Sequence, residues 1–139
     1  MKEREKPGMY ESLTRWIPKL EKDRYGEWVR AEDGFPLYVA YSWNVRTFAE
    51  AVFCFADDHC AEHAGDFHRV LEAHRIPWSR KAMKGAEVSA LDGRTAYALL
   101  LAAVRAERSC PGALLDFCAS GCVVRWLRRL QETDGENCA

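Results

Sequence analysis

The longest uninterrupted apolar run in the chain, Ala96 to Val104, is nine residues long. That is about half of the ~18 residues that suggest a membrane span. Within it, Ala96, Leu99, Leu100, Ala103 and Val104 recur at the i, i+3, i+4, i+7, i+8 spacing of one helical face, and Leu101 widens that face. Asp92 precedes the run as an N-cap, because its carboxylate can accept from the first free N–H groups of a helix. The clearest element of this chain is therefore a helix of a globular domain, with no membrane partner implied.

The remaining periodicities are also mostly helical. Ser12 is expected to cap a first helix carrying Leu13, Trp16, Ile17 and Leu20, with Pro18 kinking or restarting it. Asn44 is expected to cap a second, whose face is Val45, Phe48, Ala49, Val52, Phe53 and Ala56, supported by Arg46 and Glu50 four apart. Asp66 suits a short helix with Phe67, Val70 and Leu71. Pro111 suits the first turn of another, with Leu114, Leu115 and Cys118. Val123, Trp126, Leu127 and Leu130 form one side of a last helix, after Gly121. Residues 77–92 show no firm period and read as loop. Between 27 and 41 the pattern turns aromatic and extended around Glu32-Asp33-Gly34, which predicts a small β-hairpin. The expected architecture is mainly α: one compact domain of five or six helices over 10–131, with that hairpin. The polar ends, 1–9 and 132–139, are expected to be loose.

Composition bounds the function. The 139 residues carry 20 basic and 21 acidic side chains, a net charge of −1, which excludes a strongly basic nucleic-acid binder. The charged start, Met1 to Gly8, has no apolar h-region, so a cytoplasmic location is expected. The six cysteines are read as reduced thiols, with Cys54, Cys110, Cys118 and Cys122 in helix cores. Trp16, Trp28, Trp43 and Trp126 are assigned to the core or its edge by their neighbours.

The most specific stretch is Arg105-Ala106-Glu107-Arg108-Ser109-Cys110-Pro111-Gly112, followed by Gly121 and Arg129-Leu130. It resembles a family of small bacterial proteins, a domain of unknown function, with an Arg-x-Glu-Arg-aromatic-Cys-x-Gly signature, then a Gly and an Arg-Leu ending. Trp28-Val29, the extended Pro36 to Ser42 segment and the Phe48 helix extend the likeness over roughly residues 13–130. Ser109 departs from it, standing where the family has a large aromatic. The resemblance implies a helical fold and brings no activity.

Three candidate sites follow. Arg105 and Arg108, three apart, lie at the edge of the apolar face. With Glu107, Cys110 and Gly112 they read as an arginine–carboxylate clamp between helices, with Glu50, Asp57 or Asp116 as partner, or as an anion site. In the clamp, Arg108 is expected to be at least half buried, and Arg128 solvated. Trp78 beside Arg80, Lys81 and Lys84 in the cationic stretch 75–84 is the pattern of a nucleic-acid contact, or of a solvated loop with one tucked Trp. His59-Cys60-Ala61-Glu62-His63 places two histidines on one helical face with a Glu between them, the pattern of inverted zinc peptidases. Zinc is the one cofactor this suggests, and none is otherwise expected. With neither a complete catalytic set nor a strong basic face, the leading reading is a non-enzymatic module that binds a protein partner. The alternatives are a nucleic-acid or anion binder, and a metal-dependent hydrolase at His59, Glu62 and His63.

Overall fold

The computed structural model of the chain describes residues 8–30, 37–58 and 67–138. It is a mainly helical single domain with one two-stranded antiparallel sheet. The helical segments are α1 (Glu11–Thr14), α2 (Ile17–Glu21), α3 (Trp43–Asp58), α4 (Phe67–Ala73), α5 (Arg80–Lys84), α6 (Gly93–Ser109), α7 (Ala113–Ala119) and α8 (Cys122–Cys138). The strands β1 (Gly26–Arg30) and β2 (Leu37–Tyr41) pair in the register Trp28 with Val39 and Gly26 with Tyr41. The expected hairpin is present.

The helix begun by Asp92 is α6, and its carboxylate accepts from Thr95 N at 2.9 Å. Every residue from Thr95 to Val104 is buried, so this helix is enclosed on all sides and the one-face pattern understates it. It packs against α3, α4, α7 and α8, while α1 and α2 bridge α3 and α8. The buried Tyr97 hydroxyl donates to the Val52 carbonyl at 2.7 Å, pinning α6 to the middle of α3. Trp126, Leu127 and Leu130 close the other side from α8.

Several local expectations change. The first helix splits into α1 and α2, with Pro18 in the first turn of α2, where its missing N–H costs nothing. No side chain caps α1, so Ser12 does not have that role. The cap of α3 is Ser42, whose hydroxyl accepts from Val45 N at 3.2 Å, rather than Asn44. Residues 77–92 are not wholly loop. Ser79 Oγ accepts from Ala82 N and starts α5, and a 3-10 turn covers Val88–Ala90. These segments are too short to show a period. The helix α8 runs through most of the segment expected to be a loose tail. Thr133 is buried there, and Asp134 accepts from Tyr10 N at 3.0 Å, tying the two ends together. Cys54 and Cys110 are exposed, and only Cys118 and Cys122 fit the core reading; these four are free thiols. Trp28 and Trp43 are exposed as well, whereas Trp16 and Trp126 are buried.

Candidate functional site

The signature stretch forms the elbow between α6 and α7. Gly112 takes φ +92°, a left-handed conformation that glycine adopts without a Cβ penalty, and a Cβ there would overlap the Trp28 indole. The chain reverses at this point, leaving the first N–H groups of α7 without partners inside that helix. Glu107 supplies the partner. Its Oε1 accepts from Gly112 N at 3.0 Å and Leu114 N at 3.1 Å, and its Oε2 from Gly112 N at 3.1 Å. The Tyr41 hydroxyl donates to the same Oε1 at 2.7 Å and accepts from Leu115 N at 2.9 Å. The Tyr41 pKa is pushed up by burial and by the Glu107 carboxylate, which keeps the hydroxyl a donor. One carboxylate thus caps α7 and latches the hairpin to the elbow.

The arginine clamp is not formed. Arg108 is exposed, and the expectation that it is at least half buried fails. Among the described residues, neither Arg105 nor Arg108 makes an ion pair with Glu50, Asp57 or Asp116. Asp116 is instead bound by Lys84 Nζ at 2.8 Å and Arg80 at 3.2 Å. Arg105 lies over the Phe53 ring at 5.8 Å, with its Nε buried and without a hydrogen-bond partner. The physical reason is that the elbow, not a neighbouring helix, presents the unpaired groups at this point, and those groups are N–H donors that call for a carboxylate. Arg128 is exposed as expected and pairs with Glu21.

Beside this elbow, α3 and α6 diverge around a pocket of about 400 Å³. Val45, Ala49 and Phe53, spaced four apart on α3, face Val104 of α6 and Leu114 of α7. Arg46, Arg108, Tyr41 and Glu107 complete the lining. Arg46, expected to pair with Glu50, has no ion pair among the described residues. Arg46 and Arg108 therefore border an apolar cavity with their charge uncommitted. Arg46, Tyr41 and Phe53 were not singled out as site residues from the sequence. The available signal was a cation embedded in the α3 apolar stripe, next to Val45 and three before Ala49.

The Trp78 stretch is assembled differently. Trp78 Nε1 donates to the Ala102 carbonyl at 3.3 Å, and its ring meets Phe67 and His68 edge-on. Arg80 reaches Cys110 Sγ at 2.9 Å as well as Asp116, and both contacts raise its pKa. Lys84, first, and Arg80 together hold the Asp116 carboxyl below the usual range. Arg80 and Lys84 thus join α5 to Asp116 of α7, Arg80 also reaches Cys110 at the elbow, and Lys81 alone of the three cations is without a partner among the described residues. His59, Glu62 and His63 lie outside the described residues. Among the described residues, no group of three or more His, Cys, Asp or Glu side chains is arranged to hold a metal ion, and no helix is long and apolar enough to cross a membrane. Burial pushes the Cys118 thiol up to about 12.

Comparison with protein-family models, with curated proteins and with solved structures gives no match.

Proposed function

We propose that this chain is a non-enzymatic interaction module whose docking element is the β1–β2 hairpin with the adjoining flank of α3. The observation that carries this reading is where large apolar side chains meet solvent. Among the described residues seven are exposed, and five of them, Trp28, Leu37, Tyr38, Trp43 and Phe53, come from β1, β2 and α3. Isolated exposed apolar groups are ordinary, but a concentration of them marks an interaction surface, and Trp and Tyr are the usual anchors.

The hairpin adds a second attraction. Among the described residues each strand pairs only with the other, so the outer edges present backbone donors and acceptors that a partner strand can use. Trp28 and Leu37 lie on one face with Val39, and Tyr38 lies on the other, so both faces offer contacts. The fitting partner is a protein with a cleft that receives the hairpin and pairs with its edge. The nucleic-acid reading has less support, because Arg80, Lys84 and the Trp78 N–H are already engaged within the fold. The hydrolase reading rests on the sequence motif alone.

The test is site-specific photo-crosslinking in cells. A benzophenone amino acid at Tyr38 is expected to trap one partner protein, and the same group at Arg128 on α8 is not. The trapped protein, once purified, should bind the wild-type chain and lose that binding with Leu37→Ser and Trp43→Ser combined. Equal trapping from both positions, or trapping only of a second copy of the chain, refutes the reading.

A further inference from the structure

We propose that the cavity between α3 and α6 is a binding pocket for a single-chain anionic amphiphile, a monocarboxylate with an apolar tail. This site adjoins the docking surface and shares Phe53 with it, but its ligand is a small molecule.

Three features define the class. First, the cavity of about 400 Å³ lies within the ~300–1,000 Å³ typical of small-molecule sites, and its floor is Val45, Ala49, Phe53, Val104 and Leu114. An apolar floor recessed between two helices favours a tail that can leave water. Second, Arg46 from α3 and Arg108 from α6 enter the lining from opposite walls, and neither has an ion-pair partner among the described residues. Guanidinium forks match a carboxylate in shape and charge, and beside an apolar wall that bond is stronger than in open water. Third, the acidic group in the lining does not compete for these arginines. Both Glu107 oxygens are occupied by Gly112 N, Leu114 N and the Tyr41 hydroxyl. The lining therefore offers two uncommitted positive charges against one committed negative charge. A cationic or neutral amphiphile would find the same floor without the charge match.

The clamp expected from Arg105 and Arg108 left the role of the second arginine open. In the folded chain Arg108 stands four residues after Val104, the last buried residue of α6, which carries its head to the edge of the pocket. Arg105 is not in the lining; its guanidinium lies over the ring of Phe53, which bounds the pocket, at 5.8 Å.

The test uses the purified 139-residue chain and isothermal titration below the micelle threshold. The probes are dodecanoate, dodecanol and dodecyltrimethylammonium. Dodecanoate is expected to bind one saturable site at least tenfold more tightly than either other probe. Arg46→Gln and Arg108→Gln should each weaken dodecanoate about tenfold, since each removes one charge-assisted contact. Arg128→Gln should leave it unchanged. Ala49→Leu, which fills the floor, should weaken all three probes. The two arginines are exposed, so their variants are expected to melt with the wild type, and lost binding then reports the site and not the fold. Equal affinity for the three probes, non-saturable uptake, or dodecanoate binding indifferent to both arginine substitutions overturns the proposal. Tyr38 crosslinking is independent of these titrations, so failure of one proposal is distinguishable from failure of the other.

Discussion

Replacing Glu107 with Ala removes the acceptor for three donors at once: Gly112 N, Leu114 N and the Tyr41 hydroxyl. Hydrogen bonds to a charged acceptor contribute about 1.5–3 kcal/mol each, and a lost helix cap costs about 0.5–2 kcal/mol. Glu107 is only partly buried, so water can reach some of the orphaned groups, and the lower end of each range applies. With the two N–H bonds counted together as the cap at about 0.5–1 kcal/mol and the Tyr41 bond at about 1.5 kcal/mol, the loss is about 2–3 kcal/mol, a large share of the ~5–15 kcal/mol that holds a domain together. For a chain of this size about 1 kcal/mol corresponds to roughly 3–5 °C, so Tm should fall by about 6–15 °C. Glu107→Gln keeps one acceptor oxygen but sets an NH2 group against backbone donors, and should cost about half as much. Circular dichroism melts and urea titration measure both variants. Tyr41→Phe removes one donor to the carboxylate and one acceptor for Leu115 N, so a double-mutant cycle with Glu107→Ala should show coupling of about 1 kcal/mol. Arg108→Ala, which breaks no ion pair, should change stability by less than about 0.5 kcal/mol. If Glu107→Ala proves as mild as Arg108→Ala, the carboxylate does not hold the elbow and the reasoning fails.

Two further outcomes follow from local geometry. Gly112 and Gly121 both have positive φ, but only at Gly112 would a Cβ meet another group, the Trp28 indole. Gly121→Ala should therefore cost about 1 kcal/mol of backbone strain, whereas Gly112→Ala should cost about 2–3 kcal/mol and change Trp28 fluorescence; equal costs with an unchanged emission spectrum would refute the packing of Trp28 on the elbow. At Asp92, burial alone would raise the carboxyl pKa, but the bonds from Thr95 outweigh it and the net shift is downward. A carboxyl depressed in the folded state stabilises fully above its unfolded value and loses that contribution as pH falls through the folded value. The stability lost in Asp92→Ala should thus be about 1 kcal/mol at neutral pH and shrink below about pH 4 in urea titrations; a difference independent of pH would count against the cap.

The elements with strong periodicity were legible residue by residue. Asp92 and the Ala96 to Val104 run specified α6, and the Trp126, Leu127 and Leu130 face specified α8, because a helix repeats its apolar positions whatever surrounds it. The aromatic, extended segment ending at Tyr41 likewise gave the hairpin. The short segment α5 carried no such signal, since five residues span little more than one turn. The end of α8 was polar enough to read as a tail, yet Thr133 and Asp134 are held by contacts to Leu130 and Tyr10, the second from the other end of the chain.

The signature stretch shows the same division at a finer scale. Its residue types announced a charged, glycine-bearing turn after a long helix, and that much the sequence determined by itself. Which charge acts was decided by the tertiary structure. Arg105 and Arg108 were expected to be the working pair because an arginine at the edge of an apolar face usually finds a carboxylate. In the folded chain the turn at Gly112 aims backbone N–H groups at α6, and Tyr41 arrives from the hairpin beside them. Donors gathered from the elbow, α7 and β2 converge on one acceptor, Glu107. Arg108 is thereby left free at the wall of a pocket whose opposite wall, with Arg46, is contributed by a helix some sixty residues earlier. Helical periodicity is a property of neighbours along the chain, and it survives in the sequence. The pairing of polar groups depends on directions and distances between elements, and those exist only after the helices have packed.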